Sequence, residues 1–127
     1  MPLHQKTVVI LDDELAIRMV LESELTKAGF KTHAFEEKGE GYKWIVANHP
    51  DLILSDVRSP GMDGFEFLDL VKANPMTKDI PIIFATAHSN LAGALKAKKM
   101  GAVDFITKPY DIEELIKTIE LVLLDTP

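Results

Sequence analysis

The chain has 127 residues, 46% hydrophobic and 27% charged, which is the balance of one globular domain with a single core. It contains no cysteine, which excludes a disulfide framework, a thiol nucleophile and a cysteine-based zinc site. The net charge of −6 argues against direct nucleic-acid binding, and no apolar run approaches the roughly 20 residues that cross a membrane.

The amino-terminal segment, residues 1–7, lacks the apolar stretch of a signal peptide. We therefore expect a cytoplasmic protein without membrane insertion. We also expect one domain over residues 1–127, with its core at about residues 7–124.

The hydrophobic pattern predicts five strands that alternate with five helices. The predicted strands cover residues 8–11, 31–35, 52–54 (with Asp56 at the end), 80–85 and 103–106. The predicted helices cover about residues 17–28, 37–48, 64–73, 90–100 and 111–123. Such alternation is typical of an α/β fold with a parallel sheet that helices cover on both faces.

The spacing of apolar residues also predicts which side of each helix meets the sheet. In the second helix we expect Trp44 and Ile45 to point inward. In the third helix, Phe65, Leu68 and Val71 are expected on one face. Asp111, with Glu114 three residues later, is typical of a helix start.

Acidic residues follow two of the apolar strands. Asp12 and Asp13 come directly after the first strand, and Asp56 ends the third. A carboxylate at the edge of an apolar core is unfavourable unless it is paired, hydrogen-bonded or bound to a metal. Asp13 could instead cap the first helix, and Asp56 could be an ordinary turn residue.

A hydroxyl and a cation follow the last two strands, where Thr86 and Lys108 stand. Singly, Thr86 could be a strand-end hydroxyl and Lys108 a solvated surface lysine. In a parallel sheet, however, the carboxyl ends of the strands border one ligand crevice. These residues are therefore expected to lie together with the three acids.

This combination suits phosphoryl transfer. Clustered carboxylates need a cation to offset their repulsion, and oxygen ligands without His or Cys favour Mg²⁺. A lysine and a hydroxyl can stabilise the charge on a transferring phosphoryl group. Asp56 would then be the carboxylate nucleophile that forms an aspartyl phosphate.

The chain resembles a response-regulator receiver domain, the phosphoacceptor of two-component signal transduction, over nearly its whole length. The resemblance rests on Leu11-Asp12-Asp13-Glu14, on Ser55-Asp56 followed by Pro60-Gly61-Met62-Asp63-Gly64, on Ala85-Thr86-Ala87, and on Gly101-Ala102 with Asp104-Phe105-Ile106-Thr107-Lys108-Pro109. It implies a doubly wound, flavodoxin-like sheet of five parallel strands in the order 2-1-3-4-5, with five helices.

The resemblance implies that Asp56 accepts a phosphoryl group from a histidine kinase or a phosphotransfer protein. It implies a Mg²⁺ site made by Asp12, Asp13, Asp56 and the backbone carbonyl of Arg58. Such a domain is not an enzyme acting on other substrates. It takes up the phosphoryl group from a donor and loses it by autodephosphorylation.

The resemblance also assigns roles beyond the acids. Lys108 would contact the phosphoryl group and Thr86 would move toward it. Phe105 would turn inward as the switch aromatic, or it is a permanently buried aromatic of its strand. The bond between Lys108 and Pro109 would be cis. Arg58 and His88 occupy variable positions beside the site, where their side chains either tune the lifetime of the phosphoryl group or point into solvent.

In this family the surface of the fourth helix, fifth strand and fifth helix changes on phosphorylation. The fourth helix here carries Lys96, Lys98 and Lys99, so we expect a partner protein or a second copy of the chain to bind there. A lysine run is also compatible with a plain solvated face. The sequence is compatible with both a standalone receiver and part of a longer regulator or hybrid kinase.

Three other functions remain open at this point. A phosphatase of the haloacid dehalogenase kind needs a second acid two residues after the nucleophile, where this chain has Arg58. A flavin-binding module needs a phosphate-cradling loop after the first strand, where Asp12 and Asp13 would repel a phosphate. A receiver-like interaction module that accepts no phosphoryl group is the third.

Overall fold

The structure is a computed structural model that describes residues 6–57, 61–87 and 91–125. Its strands are β1 (Thr7–Leu11), β2 (Lys31–Phe35), β3 (Leu52–Asp56), β4 (Ile82–Ala87) and β5 (Asp104–Lys108). Its helices are α1 (Leu15–Lys27), α2 (Lys38–Asn48), α3 (Gly64–Ala73), α4 (Leu91–Lys99) and α5 (Ile112–Asp125). The strands form one parallel sheet in the order β2-β1-β3-β4-β5, which confirms the predicted fold. Within the described residues, every helix is too short or too polar to cross a membrane.

Two hydrophobic clusters lie on opposite faces of the sheet. Because successive side chains of a strand point to opposite faces, Val8 and Ile10 belong to one cluster, and Val9 and Leu11 to the other. Side chains from α1 and α5 complete the first cluster, and side chains from α2, α3 and α4 complete the second. Central strand β3 is therefore buried along its whole length, as its apolar run predicted.

The inward face of two helices differs in part from the prediction. In α3 it is Phe67, together with Leu68 and Val71, that is completely buried, whereas Phe65 is only half-buried at the edge of the same cluster. In α2, Ile45 is buried as predicted, but Trp44 is half-buried.

Strands β4 and β5 extend further toward their carboxyl ends than the apolar runs indicated. Strand β4 ends at Ala87 rather than residue 85, although it starts later, at Ile82 rather than residue 80. Strand β5 runs through Lys108 rather than ending at residue 106. The added residues continue the ladder because their backbones pair, Thr86 with Thr107 and Ala87 with Lys108. Thr86 and Lys108 are thus held by sheet hydrogen bonding rather than by loops.

The segment after β3 packs closely against that strand's end at Gly64. The Gly64 N–H donates to the Val57 carbonyl at 2.7 Å, and a Cβ on Gly64 would lie 2.7 Å from that same oxygen. Only glycine fits this approach without a shift of the backbone. Asp63 then caps α3, since its Oδ1 accepts a hydrogen bond from the Glu66 N–H at 2.9 Å.

Candidate functional site

The carboxyl ends of β1 and β3 bring three acidic side chains together. Each of Asp12, Asp13 and Asp56 offers an oxygen within 4.8 Å of the others. Asp12 is 2% exposed and Asp56 is 3% exposed, while Asp13 is half-buried. The acidic cluster predicted from the sequence is therefore present. It is deeply buried at Asp12 and Asp56 and more open at Asp13.

Asp12 is held in place by the turn into α1. Its Oδ1 accepts a hydrogen bond from the Glu14 N–H at 2.9 Å, and its backbone carbonyl accepts one from Arg18 Nη1 at 2.8 Å. The residue at the N-cap of α1 is Glu14 rather than Asp13, and the side chain of Glu14 makes no capping hydrogen bond. The alternative role of Asp13 as a helix cap is therefore wrong.

Lys108 reaches from β5 across β4 to the acids of β3 and β1. Its Nζ lies 2.6 Å from Asp56 Oδ1 and 3.2 Å from Asp12 Oδ2. Burial opposes the charge of Lys108 and is the largest single effect, but the hydrogen bonds and negative charges of Asp56 and Asp12 together outweigh it, so the pKa of this ammonium is raised. Lys108 is thus an ion-pairing residue of the site, and its interpretation as a solvated surface lysine is wrong.

The two carboxylate oxygens of Asp56 differ in their hydrogen bonding. Oδ1 is bonded to Lys108, whereas the buried Oδ2 has no hydrogen-bond partner among the described residues. Burial, with a further contribution from Asp12, raises the pKa of Asp56 to about 6 even though Lys108 opposes the shift. A buried carboxylate oxygen without a donor is the atom that a hard cation or a phosphoryl group would use, so the oxygen-only donor set fits Mg²⁺.

The other site residues predicted from the sequence lie in or beside strands β4 and β5, or outside the described residues. Thr86 is 2% exposed within β4, and half-buried Phe105 packs against the second hydrophobic cluster. The bond between Lys108 and Pro109 is cis. Arg58 and His88 lie outside the described residues.

Sequence reasoning missed a second lysine at this site. Lys38 is the first residue of α2 and is only 3% exposed. Burial lowers the pKa of its ammonium, against the opposing charges of Asp56, Asp13, Asp12 and Asp63. A signal was present in the sequence, because a lysine at the amino end of a helix is unfavourable for the helix dipole and calls for a nearby acid.

The lysines of α4 are arranged on its surface with individual contacts. Lys98 lies 3.9 Å from an oxygen of Asp104 in β5, and the Lys96 ammonium lies 4.5 Å from the centre of the Phe65 ring. Lys96, Lys98 and Lys99 are all exposed. Two of the three lysines thus contact neighbouring elements, one through an ion pair and one through an aromatic ring, while all three remain exposed to solvent.

Known proteins with similar sequences carry the same kind of domain. The family model described as the response regulator receiver domain matches residues 8–120. The DNA-binding transcriptional regulator NtrC of Proteus hauseri is 39% identical over 118 residues, which are 93% of this chain and 24% of NtrC. A chemotaxis protein CheY of Rhizobium etli is 37% identical over 116 residues, which are 91% of this chain and 90% of that protein.

Solved structures agree with this assignment. The crystal structure of a response regulator from Chloroflexus aurantiacus superimposes with a TM-score of 0.90 at 30% identity, covering 94% of this chain and 98% of the other. The chain spans only about a quarter of the NtrC relatives that it matches. Receiver domains act as phosphoacceptors in two-component signalling, and the matched region includes every strand end that forms the acidic cluster. The phosphatase and flavin-binding alternatives are therefore wrong, and the chain belongs to the response-regulator receiver domain family.

Proposed function

We propose that Asp56 of this chain accepts a phosphoryl group from a histidine kinase or a phosphotransfer protein in a Mg²⁺-dependent step. The observation that carries the proposal is the geometry of Asp56. One of its oxygens is bonded to Lys108, and the other is buried beside Asp12 and Asp13 without a hydrogen-bond donor from the part of the chain that the structure describes.

In the transfer, an Asp56 oxygen forms a bond to phosphorus as the bond between phosphorus and the donor's leaving group breaks. Lys108 and Thr86 donate hydrogen bonds to the phosphoryl oxygens. Asp12, Asp13, Asp56 and the backbone carbonyl of Arg58 would hold Mg²⁺, which when bound offsets negative charge on the acids and the phosphoryl group. Water later attacks phosphorus, the bond between phosphorus and the Asp56 oxygen breaks, and inorganic phosphate leaves as the carboxylate is restored.

Acetyl phosphate with Mg²⁺ is expected to add one phosphoryl group to the protein, as measured by intact mass. The Asp56→Asn variant removes the nucleophilic carboxylate while keeping its shape, so it should gain nothing, and neither should the wild type without Mg²⁺. If dephosphorylation is rapid, the added mass would be lost before measurement. Binding of beryllofluoride, a stable phosphoryl mimic, tests the site in that case. Failure to bind beryllofluoride would leave an interaction module that accepts no phosphoryl group as the better function.

Arg58 and His88 are proposed to tune how long the phosphoryl group persists, by controlling access of the attacking water and fit of the kinase. The support is their sequence position, two residues beyond Asp56 and Thr86. The Arg58→Ala and His88→Ala variants should therefore dephosphorylate at changed rates, followed by loss of the phosphorylated mass over time. Rates equal to that of the wild type would reject the role.

The switching surface is proposed to consist of α4, β5 and α5, with Thr86 moving toward the phosphoryl group and Phe105 turning inward. The exposed side chains of Leu95, Leu121 and Leu124 on the two helices, with exposed Val103 just before β5, support a protein contact there. Addition of beryllofluoride should change amide hydrogen exchange in α4 and β5 of the wild type and leave it unchanged in Asp56→Asn. Unchanged exchange in the wild type would contradict the switch.

The contact partner is proposed to be an output domain, a separate protein or a second copy of the chain, in the cytoplasm. The proposal of one receiver domain over residues 1–127 is supported by the two clusters that share a single sheet. NtrC and PhoB relatives are transcriptional regulators in which the matched region is a part of the protein.

A further inference from the structure

Lys38 is buried at a position where a lysine is unfavourable on two counts. It is 3% exposed, and burial of an ammonium is expensive without compensation. It is also the first residue of α2, where the positive end of the helix dipole repels a cation. Something at this place in the fold must compensate the charge.

The compensation comes from the phosphorylation site. Side chains of the first helical turn point back toward the helix start, and α2 starts beside the carboxyl end of β1. The ammonium of Lys38 accordingly interacts electrostatically with Asp56, Asp13 and Asp12, which are the same three acids that offer a shared cation site. Lys38 and an entering divalent cation would therefore both be attracted to the negative charge of these three acids.

The two lysines of the site differ in what they contact. Lys108 is bonded directly to Asp56 and Asp12, in the place where it can later meet a phosphoryl oxygen. Lys38 approaches from the α2 side, and its interactions include half-buried Asp13 and Asp63 at the start of α3. Asp13 and Gly61, with Glu36 and Glu37 just before Lys38, also line one cavity of about 400 Å³ beside the acids. Lys38 is thus buried directly behind the residues that line the open side of the acidic cluster.

We propose that Lys38 is a positioning residue that sets the Mg²⁺ affinity of the phosphorylation site, because its ammonium occupies the field of Asp12, Asp13 and Asp56 and repels the entering ion. The inference rests on the proposed Mg²⁺ role of these acids. It goes beyond that role because it assigns to a residue of α2 the control of how much metal is needed to load the site.

The test is a calorimetric titration of the phosphoryl-free protein with MgCl₂. Lys38→Met keeps the apolar stem and removes the charge, so we expect its dissociation constant for Mg²⁺ to fall by about five- to tenfold, from the loss of one nearby positive charge. Lys43→Met is the matched control, since Lys43 is an exposed residue of the same helix. It changes the net charge equally and should alter the constant by less than about twofold, because exposed charges are screened by salt.

Circular dichroism establishes that each variant is folded, and Lys38→Gln replaces Lys38→Met if the latter does not fold. A dissociation constant for the Lys38 variants equal to that of the wild type, or an equal change in Lys43→Met, would overturn the inference while leaving the proposed function intact. Absence of Mg²⁺ binding in the wild type and all variants would reject the proposed metal site and the inference with it.

Discussion

The metal-free protein is expected to become more stable, relative to its Asp56→Asn variant, as the pH falls from about 7.5 to about 4.5. The pKa of Asp56 rises from 3.8 in the unfolded chain to about 6 in the folded protein, chiefly through burial. The folded state therefore binds the proton more tightly than the unfolded state, and stability rises as the pH falls through this interval. The difference of about two pKa units corresponds to at most about 3 kcal/mol.

Asp56→Asn lacks this titration, so it should be the more stable protein at pH 7.5 and lose that advantage near pH 4.5. Urea denaturation in the presence of a chelator, at several pH values, measures the difference. Asp69→Asn, which changes an exposed acid on α3, should show the same pH dependence of the free energy of unfolding as the wild type. Parallel profiles for Asp56→Asn and the wild type would show that burial of Asp56 has no such effect.

Lys108→Met should lower the free energy of unfolding by about 2–3 kcal/mol at pH 7.5 without metal. The substitution leaves Asp56 and Asp12 buried without the ammonium that lies 2.6 Å and 3.2 Å from their oxygens. Breaking one partner of a buried pair typically costs several kcal/mol, and protonation of a carboxyl group limits the loss here. Thermal or urea denaturation gives the value.

Mg²⁺ should restore more stability to Lys108→Met than to the wild type, because a bound cation replaces part of the missing charge. Lys117→Met serves as the control, as Lys117 is an exposed residue of α5. A stability of Lys108→Met within about 0.5 kcal/mol of that control would mean that the ion pairs contribute little, as is usual for exposed pairs.

The composition of the site was predictable because parallel strands deliver their ends to one edge of the sheet. Asp12, Asp56 and Lys108 are separated by 44 and 52 positions in the sequence, yet each comes within two residues of the end of an apolar run. The hydrophobic pattern locates the runs, and the α/β rule then brings their ends together. The order of the strands came instead from the family resemblance, since periodicity carries no information on which strands are neighbours.

Lys38 was not predictable in the same way. No apolar run ends at this residue, and its location depends on the angle at which α2 leaves the sheet. The choice of Phe67 over Phe65 in α3 has a similar cause, because both lie near the apolar stripe and only the position of the helix on the sheet decides between them. The extended ends of β4 and β5 were not predicted, because backbone pairing rather than side-chain hydrophobicity continues those strands.

The strand order also has a consequence for self-association. Strands β2 and β5 form the two edges of the sheet, and each is five residues long. Exposed strand edges are templates for pairing with another chain, and short strands with charged residues resist such pairing. Lys31 lies in β2, and Asp104 lies in β5. The edges of this sheet are therefore protected against strand addition and aggregation, which leaves its helical faces as the surfaces suited to reversible contacts.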